Sequence, residues 1–169
     1  MIRHFDHFTI AVEDEAEAKR FFSALGFRED KTVVIKGERF AEYMGVPRLK
    51  ARHVTLVAED VTPRTEIQLL KYLHPDPIPD PHILELNKLG FNHVCFAVDD
   101  IESVVRRVEA AGFWTRAGIF DFHSRKLAFL WGPGGVTIEL SQWDSSRRSR
   151  GFEYVHSSFL CKIDDMHLA

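Results

Sequence analysis

The sequence predicts an α+β fold. Two tandem βαβββ modules form a half-open, eight-stranded curved sheet with helices outside. Three observations carry this expectation. Residues 5–27, FDHFTIAVEDEAEAKRFFSALGF, recur without a gap as residues 91–113, FNHVCFAVDDIESVVRRVEAAGF, with nine identical positions. Self-similarity at a fixed offset sets the architecture before any local feature does. Within each copy the apolar pattern passes from period two to period 3.6, which reads as a strand running into a helix. Each copy is then followed by further strand-like runs.

In the first copy Phe8, Ile10 and Val12 fall on one face of a strand, with His7, Thr9 and Ala11 on the other. Glu13 and Asp14 end the strand and put acidic groups at a helix start. Ala18, Phe21, Phe22 and Leu25 then form one helical stripe, and Gly26 takes the C′ place where positive φ favours glycine. The second copy repeats each step. Val94, Phe96 and Val98 oppose His93, Cys95 and Ala97. Ile101, Val104, Val105, Val108 and Ala111 form the stripe, and Gly112 follows. Further strands are expected near 32–35, 39–44, 52–58 and 65–71, and again near 115–120, 126–131 and 135–142.

Residues 1–143 thus form one domain: module one over 1–72, a proline-rich connection over 73–89, and module two over 90–143. Residues 144–169 lie outside the repeat and read as an appended tail. Two such modules cannot bury both faces of their sheets, so the concave face is the expected pocket.

The net charge of −3, from 22 basic and 25 acidic residues, gives no basis for binding nucleic acid or an anionic membrane. No apolar run approaches the roughly 20 residues of a membrane span. The first residues, MIRHFDHF, lack the apolar region of a signal peptide, and Cys95 and Cys161 form no CxxC pair. A reduced, cytoplasmic protein is the expectation.

The last strands of the modules also match, as Ile67-Gln68-Leu69 and Ile138-Glu139-Leu140. Alternation sets Gln68 and Glu139 opposite the apolar residues. Each module therefore offers a histidine from its first strand and an amide or carboxylate from its last. His7, Gln68, His93 and Glu139 suit one divalent ion such as Zn, Ni, Co, Mn or Fe, with positions left for water or substrate.

Through DHFTIAV, EIQLL, GFNHVCFAVDD and GVTIEL, residues 5–143 resemble the vicinal oxygen chelate superfamily, which includes glyoxalase I, methylmalonyl-CoA epimerase, extradiol dioxygenases and fosfomycin and bleomycin resistance proteins. The resemblance implies a metal held by His7, Gln68, His93 and Glu139, a small-molecule substrate with two adjacent oxygens, and a homodimer. The order His, Gln, His, Glu is most similar to methylmalonyl-CoA epimerase. That family's additional glutamate is absent from residues 45–53, where Arg48, Lys50 and Arg52 stand as candidates for an anionic substrate group.

The implied chemistry is lyase or isomerase action by proton transfer beside a chelated carbonyl, with Glu139 as base. His123 is a second candidate acid or base. One alternative is an Fe(II) dioxygenase using His7, His93 and Glu139. Residues 123–139 partly resemble the extradiol signature, but carry Phe129 and Gly132 where it has tyrosine and aspartate. The other alternative is a small-molecule binding or antibiotic-resistance protein.

Overall fold

The computed structural model describes residues 1–144, so the expected tail lies outside the described residues except for Asp144. Module one runs β1 (His7–Ala11), α1 (Glu15–Ala24), β2 (Phe27–Lys36), α2 (Glu38–Met44), β3 (Lys50–Ala58) and β4 (Glu66–His74). Module two runs β5 (His93–Ala97), α3 (Ile101–Ala110), β6 (Phe120–Phe122), β7 (Arg125–Trp131), a short 3₁₀ turn (Pro133–Gly135) and β8 (Thr137–Trp143). The eight strands hydrogen-bond as two four-stranded sheets of matching order, β1-β4-β3-β2 and β5-β8-β7-β6. In each sheet the first strand runs parallel to the last of its own module.

The repeated helices start and stop as their sequences dictate. The carboxylates of Asp14 and Asp100 accept hydrogen bonds from the backbone N–H of Glu17 and Ser103, both at 2.9 Å, and so satisfy orphan first-turn donors. Gly26 and Gly112 follow the last turns with φ of 91° and 88°. The helical stripes are buried as expected, Ala18, Phe21, Phe22, Ile101 and Val108 completely.

One run departs from expectation. Residues 39–44 belong to helix α2, not to a strand. Gly37 and Gly45 bracket the run, and Gly45 closes the helix at φ 65°. Ala41 and Met44, three apart on the helix, pack on a small cluster of Leu49, Ala51 and Leu70. The helix thus covers the far end of the sheet face that carries Gln68, and module two has no counterpart. Expected strand 115–120 shrinks to β6 at 120–122, with an isolated bridge between Thr115 and Leu130.

Both modules contribute to one hydrophobic core. The Phe21 ring meets Phe113 edge-on at 5.1 Å, and Phe96 lies 6.0 Å from Phe8 and 5.6 Å from Phe27. Gly134, with φ 65°, brings the β7–β8 turn against β1. A Cβ there would stand 2.6 Å from the carbonyl oxygen of Ala11. Because the apolar faces of both sheets belong to this core, their polar faces are turned away from it. No helix among the described residues is long and apolar enough to cross a membrane.

Arg52, a candidate for substrate binding, is committed elsewhere. It lies on the helix side of β3 and grips Glu15 at the start of α1 through two hydrogen bonds of 2.7 and 3.0 Å. Arg52, aided by Lys19, holds the Glu15 carboxyl down at about 2, against its ordinary 4.5. A depressed carboxylate stabilises the fold fully above its unfolded value, and that contribution is lost as pH falls from about 4.5 toward about 2. Glu15→Gln is therefore expected to flatten the dependence of melting temperature on pH in this window. Parallel curves for the variant and the parent would remove the pair from the account of acid stability.

Candidate metal centre

Sheet register places the predicted residues. In module one His7 pairs with Glu66 and Thr9 with Gln68, so His7 and Gln68 are near neighbours on the polar face of β1 and β4. In module two His93 pairs with Thr137 and Cys95 with Glu139. His93, Cys95, Thr137 and Glu139 all lie on the face opposite Ile138 and Leu140, which are fully buried.

The module-two pair is in contact. His93 Nε2 lies 3.4 Å from Glu139 Oε2. The other ring nitrogen is engaged, with Nδ1 2.7 Å from Asn92 Oδ1. The Asn92 Nδ2 donates to the Leu86 carbonyl, which fixes the amide with its oxygen toward the histidine. An amide oxygen only accepts, so His93 Nδ1 carries the proton. In the neutral ring Nε2 then presents a lone pair toward a carboxylate oxygen. Two acceptors at that distance call for a cation or a proton between them. Two donors each about 2.1 Å from one ion lie roughly 3.0–3.4 Å apart, so the donor set and its spacing fit a divalent metal.

The module-one pair is prepared in the same way. His7 Nδ1 lies 2.6 Å from Asp6 Oδ2, which leaves Nε2 free in the neutral ring. Asp6 and Asn92 occupy matching positions of the repeat, each directly before its histidine. Such outer partners fix tautomer and ring orientation in metal sites. Gln68 Oε1 lies 2.9 Å from His53 Nε2 and 3.4 Å from Thr9 Oγ1. An amide oxygen has two lone pairs, which His53 and the longer Thr9 contact take up, so Gln68 would exchange the Thr9 hydroxyl for a further electrophile.

Sequence reasoning missed three of these neighbours. Asp6 and Asn92 are not identical, so a search for identities passes over them, although both can accept from an imidazole. His53 has no repeat partner, and only the alternation of RHVTLVA placed it on the face of Gln68. Cys95 is the ladder partner of Glu139. Desolvation, then that carboxylate, push the thiol up to about 12, so it is a donor and not a thiolate at neutral pH.

The two half-sites stay apart within one chain. Among the described residues no group of three or more His, Cys, Asp or Glu side chains is arranged to hold a metal ion. His123 stands exposed in the β6–β7 turn at φ 55°, its ring 4.5 Å from that of Phe122. The β7 residue opposite Glu139 is Phe129, six positions from His123. A cleft of about 600 Å³ lies elsewhere, between the end of β1, the connection at Pro77–Asp80 and the 3₁₀ turn, and includes none of the four candidate ligands.

The model of the glyoxalase/bleomycin resistance protein/dioxygenase superfamily matches residues 6–129. A lactoylglutathione lyase of Schizosaccharomyces pombe is 31% identical over 85 residues, which are 48% of this chain and 28% of that enzyme. The chain thus aligns with less than a third of that relative's length. A crystal structure of a glyoxalase family protein from Bacillus cereus superposes with a TM-score of 0.76 at 25% identity, covering 85% of this chain and 96% of that one. The Listeria monocytogenes fosfomycin resistance protein FosX, crystallised with Mn(II), superposes with a TM-score of 0.54 at 14% identity, covering 88% and 98%, and so shares the fold.

The geometry predicts that the neutral rings of His7 and His93 both carry their proton on Nδ1. Long-range ¹⁵N–¹H correlation spectra of the imidazoles should show this, and Asn92→Ala should convert His93 to a tautomer mixture. Nε2-protonated rings in the parent protein would contradict the assignment.

Proposed function

Because the chain belongs to the glyoxalase/bleomycin resistance protein/dioxygenase superfamily, we propose that it is a metal-dependent enzyme of lyase or isomerase type, moving a proton next to a carbonyl of a substrate with two adjacent oxygens. The observation that carries this reading is His93 Nε2 facing Glu139 Oε2 at 3.4 Å, with the ring's Nδ1 engaged by Asn92 Oδ1. His7, Gln68, His93 and Glu139 would hold one divalent ion, which when bound supplies electrophilic stabilisation to the substrate's paired oxygens and to charge that develops on them.

Glu139 is the proton carrier. Its side chain is 12% exposed, and one oxygen is turned to His93. The Cys95 thiol stands directly beside it in the ladder. From this position Glu139 accepts the proton α to the carbonyl and returns it to the neighbouring carbon or to the same carbon from the other side. Asn92 and Asp6 keep the two imidazoles oriented. His123 takes no part in the step. Phe129 packs its ring 5.2 Å from His93 and offers no hydroxyl to a substrate oxygen, which weighs against the dioxygenase alternative.

Because no group of three or more His, Cys, Asp or Glu side chains gathers among the described residues of one chain, a second chain would complete the centre. His7 and Gln68 of one chain meet His93 and Glu139 of the other, giving a homodimer with two equivalent sites.

Elemental analysis of protein purified without added metal is expected to find about one divalent ion per chain. Asn92→Ala should weaken metal affinity about 10–100-fold, and His93→Ala by more, with the melting temperature of the metal-free protein little changed. Full occupancy in His93→Ala would sink the assigned centre, and iron with turnover of catechols in air would move the reading to a dioxygenase. Co-expression of a His7→Ala/Gln68→Ala chain with a His93→Ala/Glu139→Ala chain should restore about one ion per heterodimer. Failure to restore any would place all four ligands within one chain.

A further inference from the structure

The open face of the second sheet carries more than its metal half-site. Register and alternation put Arg125, Leu127, Phe129 and Trp131 of β7 on the same face as Glu139, Ser141 and Trp143 of β8, with Phe120 and Phe122 of β6 beside them. Ala128 and Leu130, on the other face, are buried in the core. Phe120 and Phe122 are left exposed, at 63% and 41%. Large aromatic surface left open around a polar centre marks a binding face.

Two guanidinium groups sit on this face, and they differ. Arg116 is used in the fold. It lies 3.8 Å over the Trp131 ring, donates to Thr137 Oγ1 at 2.9 Å, and donates to the Leu84 carbonyl at 2.9 Å, which fastens the connection between modules. Arg125 has no such employment. Its guanidinium carbon lies 4.9 Å from the Trp143 ring centre and 5.7 Å from that of Phe122, and among the described residues no carboxylate lies within ion-pair distance of it. The half-buried group is held by aromatic faces while its fork of donors is left for a ligand. A second observation points the same way. Ser141, directly opposite Leu127 between Glu139 and Trp143, is 3% exposed, and its Oγ has no hydrogen-bond partner among the described residues. A buried hydroxyl without a partner is rare and calls for a ligand or water.

We infer that Arg125, seated between Trp143 and Phe122 and flanked by the unpartnered Ser141 hydroxyl, anchors a carboxylate of the substrate, whose flat apolar body lies along the aromatic face toward His93 and Glu139. The substrate class is therefore an organic carboxylate with an aromatic or other flat apolar body. Its reactive end is assigned by the proposed metal-centred function, and its anchored end by Arg125. Four β7 positions, or about 13 Å of strand, separate Arg125 from Phe129 beside the metal half-site.

The test does not require turnover. Isothermal titration calorimetry on the full chain would compare 2-naphthoate with its neutral counterpart 2-naphthamide. The carboxylate is expected to bind at least about tenfold more tightly. Arg125→Met should weaken naphthoate about 10–100-fold and leave naphthamide unchanged. Arg125→Lys should recover part of the loss, because it keeps the charge without the fork. Ser141→Ala should cost several-fold with Arg125 intact. Equal binding of the two probes, no naphthoate binding at millimolar concentration, or an Arg125→Lys variant that folds and binds like Arg125→Met would each overturn the anchor. Titrations repeated with a chelator separate it from the catalytic reading. Naphthoate binding that survives chelation supports Arg125 whatever becomes of the metal, whereas binding that vanishes with chelation assigns the carboxylate to the metal and overturns the inference.

Discussion

The architecture depends on one apolar contact surface, the core shared by the two modules. The stripes of α1 and α3 meet there, with Phe21 edge-on to Phe113, and the inner faces of β1, β4, β5 and β8 close over them. Neither module can bury its own stripe, because a four-stranded sheet and one helix leave apolar area open. Joining the modules through these faces removes that area from water and leaves the polar faces of both sheets pointing outward. The open faces, and so the division of the candidate ligands into two pairs, follow from where the phenylalanines go.

On that frame, strand register does the fine positioning. Parallel pairing of β5 with β8 sets Cys95 beside Glu139, and the pleat brings His93 to the same face at 3.4 Å from the carboxylate. The same pairing in module one sets His7 near Gln68. A slip of one residue would turn either pair into the core. The buried flanks of Gln68 and Glu139, namely Ile67, Leu69, Ile138 and Leu140, make such a slip costly. The site's order thus comes from apolar neighbours more than from polar contacts.

The repeat has also diverged where symmetry is not required by packing. Asp6 and Asn92 orient their histidines by different chemistry to the same end. Gln68 is held by His53, whereas Glu139 faces His93 with Cys95 beside it. Helix α2 caps one end of the first polar face, while the second remains open and aromatic. These differences make the two faces unlike. The first is partly covered and carries His7 and Gln68. The second carries His93, Glu139, exposed aromatic rings and Arg125.

The α+β class, the paired strand–helix units, the helix caps and the faces bearing His7, Gln68, His93 and Glu139 were legible in the sequence, because each rests on local periodicity and on a repeat long enough to exclude chance. The helix at 38–44 was not. Its seven residues are too few for periodicity to separate helix from strand, and its packing on Leu49, Ala51 and Leu70 is a long-range event. Arg52, Arg116 and Arg125 read alike as charged residues, and only their surroundings distinguish a grip on Glu15, a brace on Leu84 and an open fork. By itself the sequence determined which residues share a strand face, since alternation is a property of the chain. The tertiary structure alone decided which faces meet. That depends on how apolar surfaces far apart in the chain are buried together, and it keeps the two halves of the candidate metal centre apart within one chain.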